Sequence, residues 1–197
     1  MNITLSDFIY IRHNALTPEF CQNVIEKFEN DDRSVPGKIG TDEFRRVDTT
    51  IKNSLDLLIS PLPEWKEEDL VFFNSLNRHI HEYQKCEYLG DILNMRFQNP
   101  RDSGYQIQRT SPGLGYTWHN DNQVGQYVID NGIRWATYIW YLNDVKEDGY
   151  TEFVDGTKIQ PEAGKIVIFP ACWPYIHRGF PPKSETKYLV TGWMHST

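Results

Sequence analysis

The chain has 197 residues, 39% of them hydrophobic and 14% aromatic, which is enough apolar material for one packed domain and excludes a disordered segment. Its formal net charge of −7 excludes a global positive field that would draw a nucleic-acid backbone, so partner choice must be local and no nucleic acid is expected. Cys21, Cys86 and Cys172 are odd in number and lack a C-x-x-C pair, and neither a signal-type core nor a membrane-length apolar run is present. A soluble, cytoplasmic, single-domain protein spanning residues 1–197 is expected.

In chain order, Ile3 to Ile11 reads as an early strand. Thr17-Pro18-Glu19 marks a helix start, with a cap, a proline in the first turn and an acid near the positive end of the dipole. Phe20, Cys21, Val24, Ile25 and Phe28 recur at helical spacing and predict its inward face. Charges with Pro36, Gly37 and Gly40 make 30–50 a loop, in which Arg45-Arg46 reads first as a solvated charge pair and, as the alternative, as a contact for substrate. Partial alternation from Thr49 to Ile59 predicts a strand, stopped by Pro61 and Pro63. Glu67 to Tyr83 is a second helix with Leu70, Phe73, Leu76, Ile80 and Tyr83 along one stripe. His79 and His81, two apart on that helix, face different directions and read as structural or surface residues; His13 and His195 carry no assignment.

After Cys86 strands take over. Alternation places them near Tyr105–Arg109, Tyr116–His119, Ile133–Leu142, Thr151–Val154, Thr157–Gln160, Lys165–Phe169, Tyr175–Arg178 and Lys187–Trp193. Eight strands suit a double-sheet jelly roll. The expected fold is mainly β with flanking helices: a double-stranded β-helix, cupin-like, over about residues 96–197, braced by a strand and two helices over about 1–95. The long polar connection Asn120 to Gly132 is placed at the mouth, where it would contact substrate.

The chemistry concentrates in the last eighty or so residues, from Trp118-His119-Asn120-Asp121 to His177 and Lys187. Side chains two apart on a strand share a face, so His119 and Asp121 can enter one cavity, with a third ligand arriving from elsewhere. His177, on another alternating run, is the candidate. Two histidines and one carboxylate that leave coordination positions open form the facial set of non-haem Fe(II) oxygenases, although Mn, Co, Ni or Zn bind the same donors. In Lys187-Tyr188-Leu189-Val190-Thr191-Gly192-Trp193 the odd positions share a face, so Lys187, Leu189, Thr191 and Trp193 would look into one cavity. A lysine buried there requires an anion.

These residues resemble the Fe(II)/2-oxoglutarate-dependent oxygenases, in particular the prolyl 4-hydroxylase-like branch. The resemblance runs in order through His119-Asn120-Asp121, Trp140-Tyr141-Leu142-Asn143-Asp144-Val145, Thr151-Glu152-Phe153, Pro161-Glu162-Ala163-Gly164-Lys165, Phe169-Pro170, His177-Arg178-Gly179 and Lys187-Tyr188. It departs at Thr110-Ser111, where the family often has a tyrosine, and at Gly149-Tyr150, where the family has Gly-Gly.

The resemblance implies Fe(II) held by His119, Asp121 and His177, with 2-oxoglutarate and O2 as cosubstrates and ascorbate admissible as a reductant. It gives Lys187 and Tyr141 to the far carboxylate of 2-oxoglutarate; Thr191 and Trp193, on the face shared with Lys187, read as walls of that pocket, while Tyr141 and Trp193 read equally as aromatic core. It implies hydroxylation of a prolyl residue in a peptide or protein. A free amino acid or other small molecule is the alternative substrate, and a catalytically silent cupin-like binding module is the alternative of another class. Oligomeric state is not encoded in these motifs.

Overall fold

The computed structural model describes residues 4–40, 45–85, 101–122 and 133–196. Most of the expected mouth connection, 123–132, lies outside the described residues, as does Cys86.

The first helix (α1, Pro18–Glu29) starts where the sequence places it. The Thr17 hydroxyl accepts the Phe20 N–H at 3.2 Å, satisfying one of the orphan donors of the first turn. Cys21, Val24 and Phe28 are its buried positions, with Phe20 and Ile25 packed beside them. The second helix (α2, Lys66–Gln84) occupies the expected span but turns a different face inward. Phe72, Leu76, Ile80 and Tyr83 are buried, whereas Leu70 and Phe73, both assigned to the stripe, are exposed. At about 100° per residue the four buried side chains fall within roughly 80° of arc; Phe73 flanks that arc and Leu70 lies about 120° from its middle. The Phe72 ring sits 5.4 Å from those of Phe20 and Trp140 and 5.5 Å from that of Tyr105, which locks the helix onto the sheet.

The expected early strand is shorter than the sequence suggests. Ile3 lies outside the described residues, and of the rest Tyr10–Arg12 forms the strand (β1), because Thr4 and Asp7 cap one another around a 3-10 turn at Leu5–Phe8. The expected loop of 30–50 carries three two-residue strands, β2 (Val35–Pro36), β3 (Lys38–Ile39) and β4 (Arg46–Val47). The strand expected within 49–59 is β5 (Leu55–Leu58).

The C-terminal strands are β6 (Arg101–Asp102), β7 (Gln106–Thr110), β8 (Tyr116–His119), β9 (Ile133–Tyr141), β10 (Thr151–Phe153), β11 (Lys158–Ile159), β12 (Ile166–Pro170), β13 (His177–Gly179) and β14 (Lys187–Ser196). From β7 onward these are the eight expected strands, and they divide between two antiparallel sheets. The large sheet runs β1-β12-β9-β14-β7-β5-β2 with β6 beside β14, and the small one runs β11-β10-β13-β8. This is the double-stranded β-helix.

Alternation on β9 explains both cores. Tyr138 and Trp140 face the helices and pack with Phe28, Phe72 and Tyr105, while Ile139 and Tyr141 face inward and pack with Phe153, Phe169 and Leu189. Among the described residues no helix is long and apolar enough to cross a membrane.

Candidate metal centre

β8 and β13 are hydrogen-bonded neighbours, and His119 and His177 stand directly opposite one another in their register. Cross-strand partners on one face hold their side chains close, and the two ring centroids are 4.3 Å apart. Asp121 lies beyond the end of β8, in a bend, so strand alternation alone does not aim it. Two neighbours do: the Thr137 hydroxyl donates to Oδ2 at 2.6 Å, and the Arg134 guanidinium donates to the Asp121 carbonyl at 3.2 Å. Asp121 Oδ1 is then 3.7 Å from His119 Nε2, and Oδ2 is 3.7 Å from His177 Nε2.

The outer nitrogens of both rings are spoken for. His119 Nδ1 lies 2.7 Å from the Thr117 carbonyl and His177 Nδ1 lies 3.1 Å from that of Tyr175. A carbonyl only accepts, so each Nδ1 carries the proton and each Nε2 presents a lone pair. Burial, with His177 alongside, pushes His119 down to about 3, which keeps it neutral. Burial pushes Asp121 upward, but the two imidazoles and the Thr137 hydroxyl outweigh it and hold the carboxyl below the usual carboxylate range. Tyr116 stacks on His119 at 3.6 Å, and Phe153 and Phe169 pack beside His177.

One ligand atom from each of His119, Asp121 and His177 lies within 4.8 Å of the others. Two neutral imidazoles and one carboxylate, converging and restrained from behind, fit a divalent transition metal with open positions. They open onto a cavity of about 280 Å3 between the sheets.

All four odd-numbered β14 residues expected to share a face, Lys187, Leu189, Thr191 and Trp193, line that cavity. Lys187 is 2% exposed. Its ammonium donates to the Gly149 carbonyl at 2.9 Å and meets no carboxylate among the described residues; burial alone pushes its pKa down to about 8. An ammonium so placed fits a ligand that brings an anion. The Gly149-Tyr150 departure from Gly-Gly falls at this contact: Gly149 has φ +70° and Tyr150 turns outward to stack on Phe180. Tyr141 is placed differently from a wall residue. It is fully buried behind Thr151, whose Oγ1 lies 2.6 Å from its hydroxyl, and Thr151 lines the cavity in its stead.

Several lining residues escape the sequence reading. Lys52 and Asp56 form a buried ion pair at 2.6 Å, with Gln106 donating to Asp56 at 3.0 Å and the Lys52 ammonium 5.6 Å from the Tyr116 ring. Their i,i+4 spacing is also that of a solvated pair, so only the fold reveals their burial. Thr137 was accessible in principle, since it shares the face of Ile139 and Tyr141 on a strand that alternates plainly. His79, read as structural or surface, is buried, and its Nδ1 lies 2.9 Å from the Tyr10 hydroxyl on the opposite side of the large sheet from the centre.

The family model described as the 2OG-Fe(II) oxygenase superfamily matches residues 105–195, the stretch that carries all three donors and Lys187. A viral protein from Acanthamoeba polyphaga mimivirus, named "Putative prolyl 4-hydroxylase", is 26% identical over 93% of this chain and 72% of its own length. Among solved structures, the viral collagen prolyl hydroxylase of Paramecium Bursaria Chlorella virus-1 in its 2OG complex superposes with a TM-score of 0.68 at 20% identity, covering 96% of this chain and 97% of that one. A prolyl hydroxylase from Trichoplax adhaerens, in complex with a peptide fragment of the hypoxia inducible factor oxygen degradation domain, gives a TM-score of 0.75 at 17% identity, covering 97% and 84%. At these identities the structures speak to the fold alone, which they share along nearly the whole chain. The sequence match over the site-bearing strands is to the 2OG-Fe(II) oxygenase superfamily, which this chain resembles there.

Proposed function

We propose that the chain is an Fe(II)- and 2-oxoglutarate-dependent dioxygenase that hydroxylates a prolyl residue within a peptide or protein. The observation that supports it best is the pairing, in one cavity, of three metal donors with a buried ammonium that has no carboxylate partner among the described residues. His119, Asp121 and His177 would hold the iron, and Lys187 would receive the far carboxylate of 2-oxoglutarate. Two neutral imidazoles and one carboxylate leave about one positive charge on Fe(II); the dianionic keto acid makes the sum about −1, and the lysine returns it to near zero. When bound, iron and 2-oxoglutarate supply the oxidising power: O2 is consumed, succinate and CO2 leave, and one oxygen atom enters a substrate C–H bond.

The chain's own residues position and enclose. Thr137 fixes which oxygen of Asp121 faces the centre, Thr117 and Tyr175 fix the imidazole tautomers, and Phe153, Phe169 and Leu189 keep water from the inner wall. We assign Thr191 and Trp193 to the pocket wall and Tyr141 to orienting Thr151. The prolyl substrate class is supported by the names carried by the viral relative and by the peptide-bound Trichoplax structure. We further propose one domain, because both helices share a core with the large sheet, and a reducing cytoplasmic setting, in keeping with the free Cys21 and Cys172.

The test is direct. Fe(II) and 2-oxoglutarate mixed without oxygen should give a weak visible charge-transfer band; admitting O2 with proline-containing peptides should yield succinate and a proline heavier by one oxygen. Oxidation confined to free metabolites would remove the peptide assignment, and the lack of both band and succinate would favour the binding-module alternative.

A further inference from the structure

Beside the metal cavity, and sharing its Trp193 and Arg134 wall, lies a second depression. Its chemistry differs from that of the acidic chain around it, whose net charge is −7. Three cationic or cation-capable side chains stand in one row across three hydrogen-bonded strands: Arg101 on β6 is opposite His195 on β14, which is opposite Arg134 on β9. All three line the depression. Like charges directly opposite one another weaken a sheet, so such a row is suited to receiving negative charge. Asp102 also lines the depression and accepts the Gly104 N–H at 2.9 Å.

Two further observations give the groove a direction. The Trp193 indole N–H on the shared wall is buried and has no hydrogen-bond acceptor among the described residues. Arg134 lies 3.9 Å over the Trp193 ring and donates to the Asp121 carbonyl at 3.2 Å, so the row ends against a metal-donor residue.

We propose that this groove is a specificity subsite that takes an acidic residue of the substrate polypeptide close in sequence to the residue being oxidised. The proposal rests on the polypeptide reading of the substrate given above. A polypeptide is favoured over a nucleic acid because the cationic row is short and local in a chain whose net charge is −7.

Fluorescent proline-containing peptides in pairs, with aspartates flanking the proline or asparagines in their place, test this by anisotropy against protein loaded with Mn(II) and 2-oxoglutarate without oxygen. The aspartate peptide should bind on the order of tenfold more tightly at low salt, and the advantage should shrink as salt screens it. Arg101→Gln and His195→Gln, checked for fold by circular dichroism, should each narrow the difference. Equal affinity for the twins overturns the proposal, as does a short single-stranded oligonucleotide that binds more tightly than the aspartate peptide. Selective binding of the aspartate peptide without hydroxyproline formation under Fe(II) and O2 keeps the groove assignment and refutes the prolyl one.

Discussion

At the scale of single residues, Lys187 sets the most informative behaviour, because a buried ammonium with a pKa pushed down to about 8 titrates within reach of experiment. The sign follows from linkage. The folded value lies below the unfolded lysine value of about 10.4, so between those two the unfolded chain binds more protons and stability rises with pH. Below about 8 both states are protonated and the cost of burying the charge is fully present. Binding runs the opposite way, since a dianion needs the protonated lysine. The KM for 2-oxoglutarate should therefore climb as pH rises through and above about 8, while a peptide KM measured at saturating 2-oxoglutarate stays flatter. Lys187→Met should flatten the pH slope of stability in urea unfolding and raise the 2-oxoglutarate requirement on the order of a hundredfold. An equal rise in the iron requirement would count against the assignment. Thr137 offers a second test. Replacing it with valine removes the 2.6 Å donor to Asp121 Oδ2 at nearly constant volume, and Mn(II) affinity followed by electron paramagnetic resonance should fall roughly 10- to 100-fold.

At the scale of elements, what is legible in the sequence depends on how many residues share a period. The β9 and β14 runs alternate long enough to declare their faces, which is why Lys187, Thr191 and Trp193 could be placed on one side before any coordinates. Helix α2 shows the limit of the same reasoning. Leu70 and Phe73 extend its apolar positions to one side of the buried arc, so the sequence offers two overlapping stripes, and only the ring stack of Phe72 with Phe20, Tyr105 and Trp140 decides between them. Phe72→Ala should accordingly cost about 3–5 kcal/mol in urea unfolding, whereas Phe73→Ser should stay within about 0.5 kcal/mol. Comparable losses would mean that the helix is turned the other way. The strands β2 to β4 have no period to detect at two residues each, and the Lys52–Asp56 pair resembles any exposed i,i+4 couple until β5 is folded against β7. The Tyr141 and Thr151 hydroxyls, 2.6 Å apart, show a contact that residue order cannot reveal.

At the scale of the whole molecule, the two sheets hold complementary halves of the site. His119 and His177 belong to the small sheet and Asp121 follows its edge strand, whereas Lys187 stands on the large sheet. A metal alone engages the first half; a keto acid chelating that metal and reaching the lysine would join both. Such a ligand links the sheets only when the metal is present, so its stabilising effect depends on the metal. A ligand at about 100 times its Kd adds roughly 2.7 kcal/mol, and about 2–4 °C per kcal/mol for a chain of this size gives roughly 5–10 °C in Tm. Without oxygen, Mn(II) alone should raise Tm, 2-oxoglutarate alone should do little, and the two together should exceed the sum of their separate shifts. Asp121→Ala should flatten every shift, while Lys187→Ala should keep the Mn(II) shift and lose the increment from 2-oxoglutarate. If that increment survives in Lys187→Ala, the acid is held at some other point and the coupling of the two sheets through this lysine is wrong.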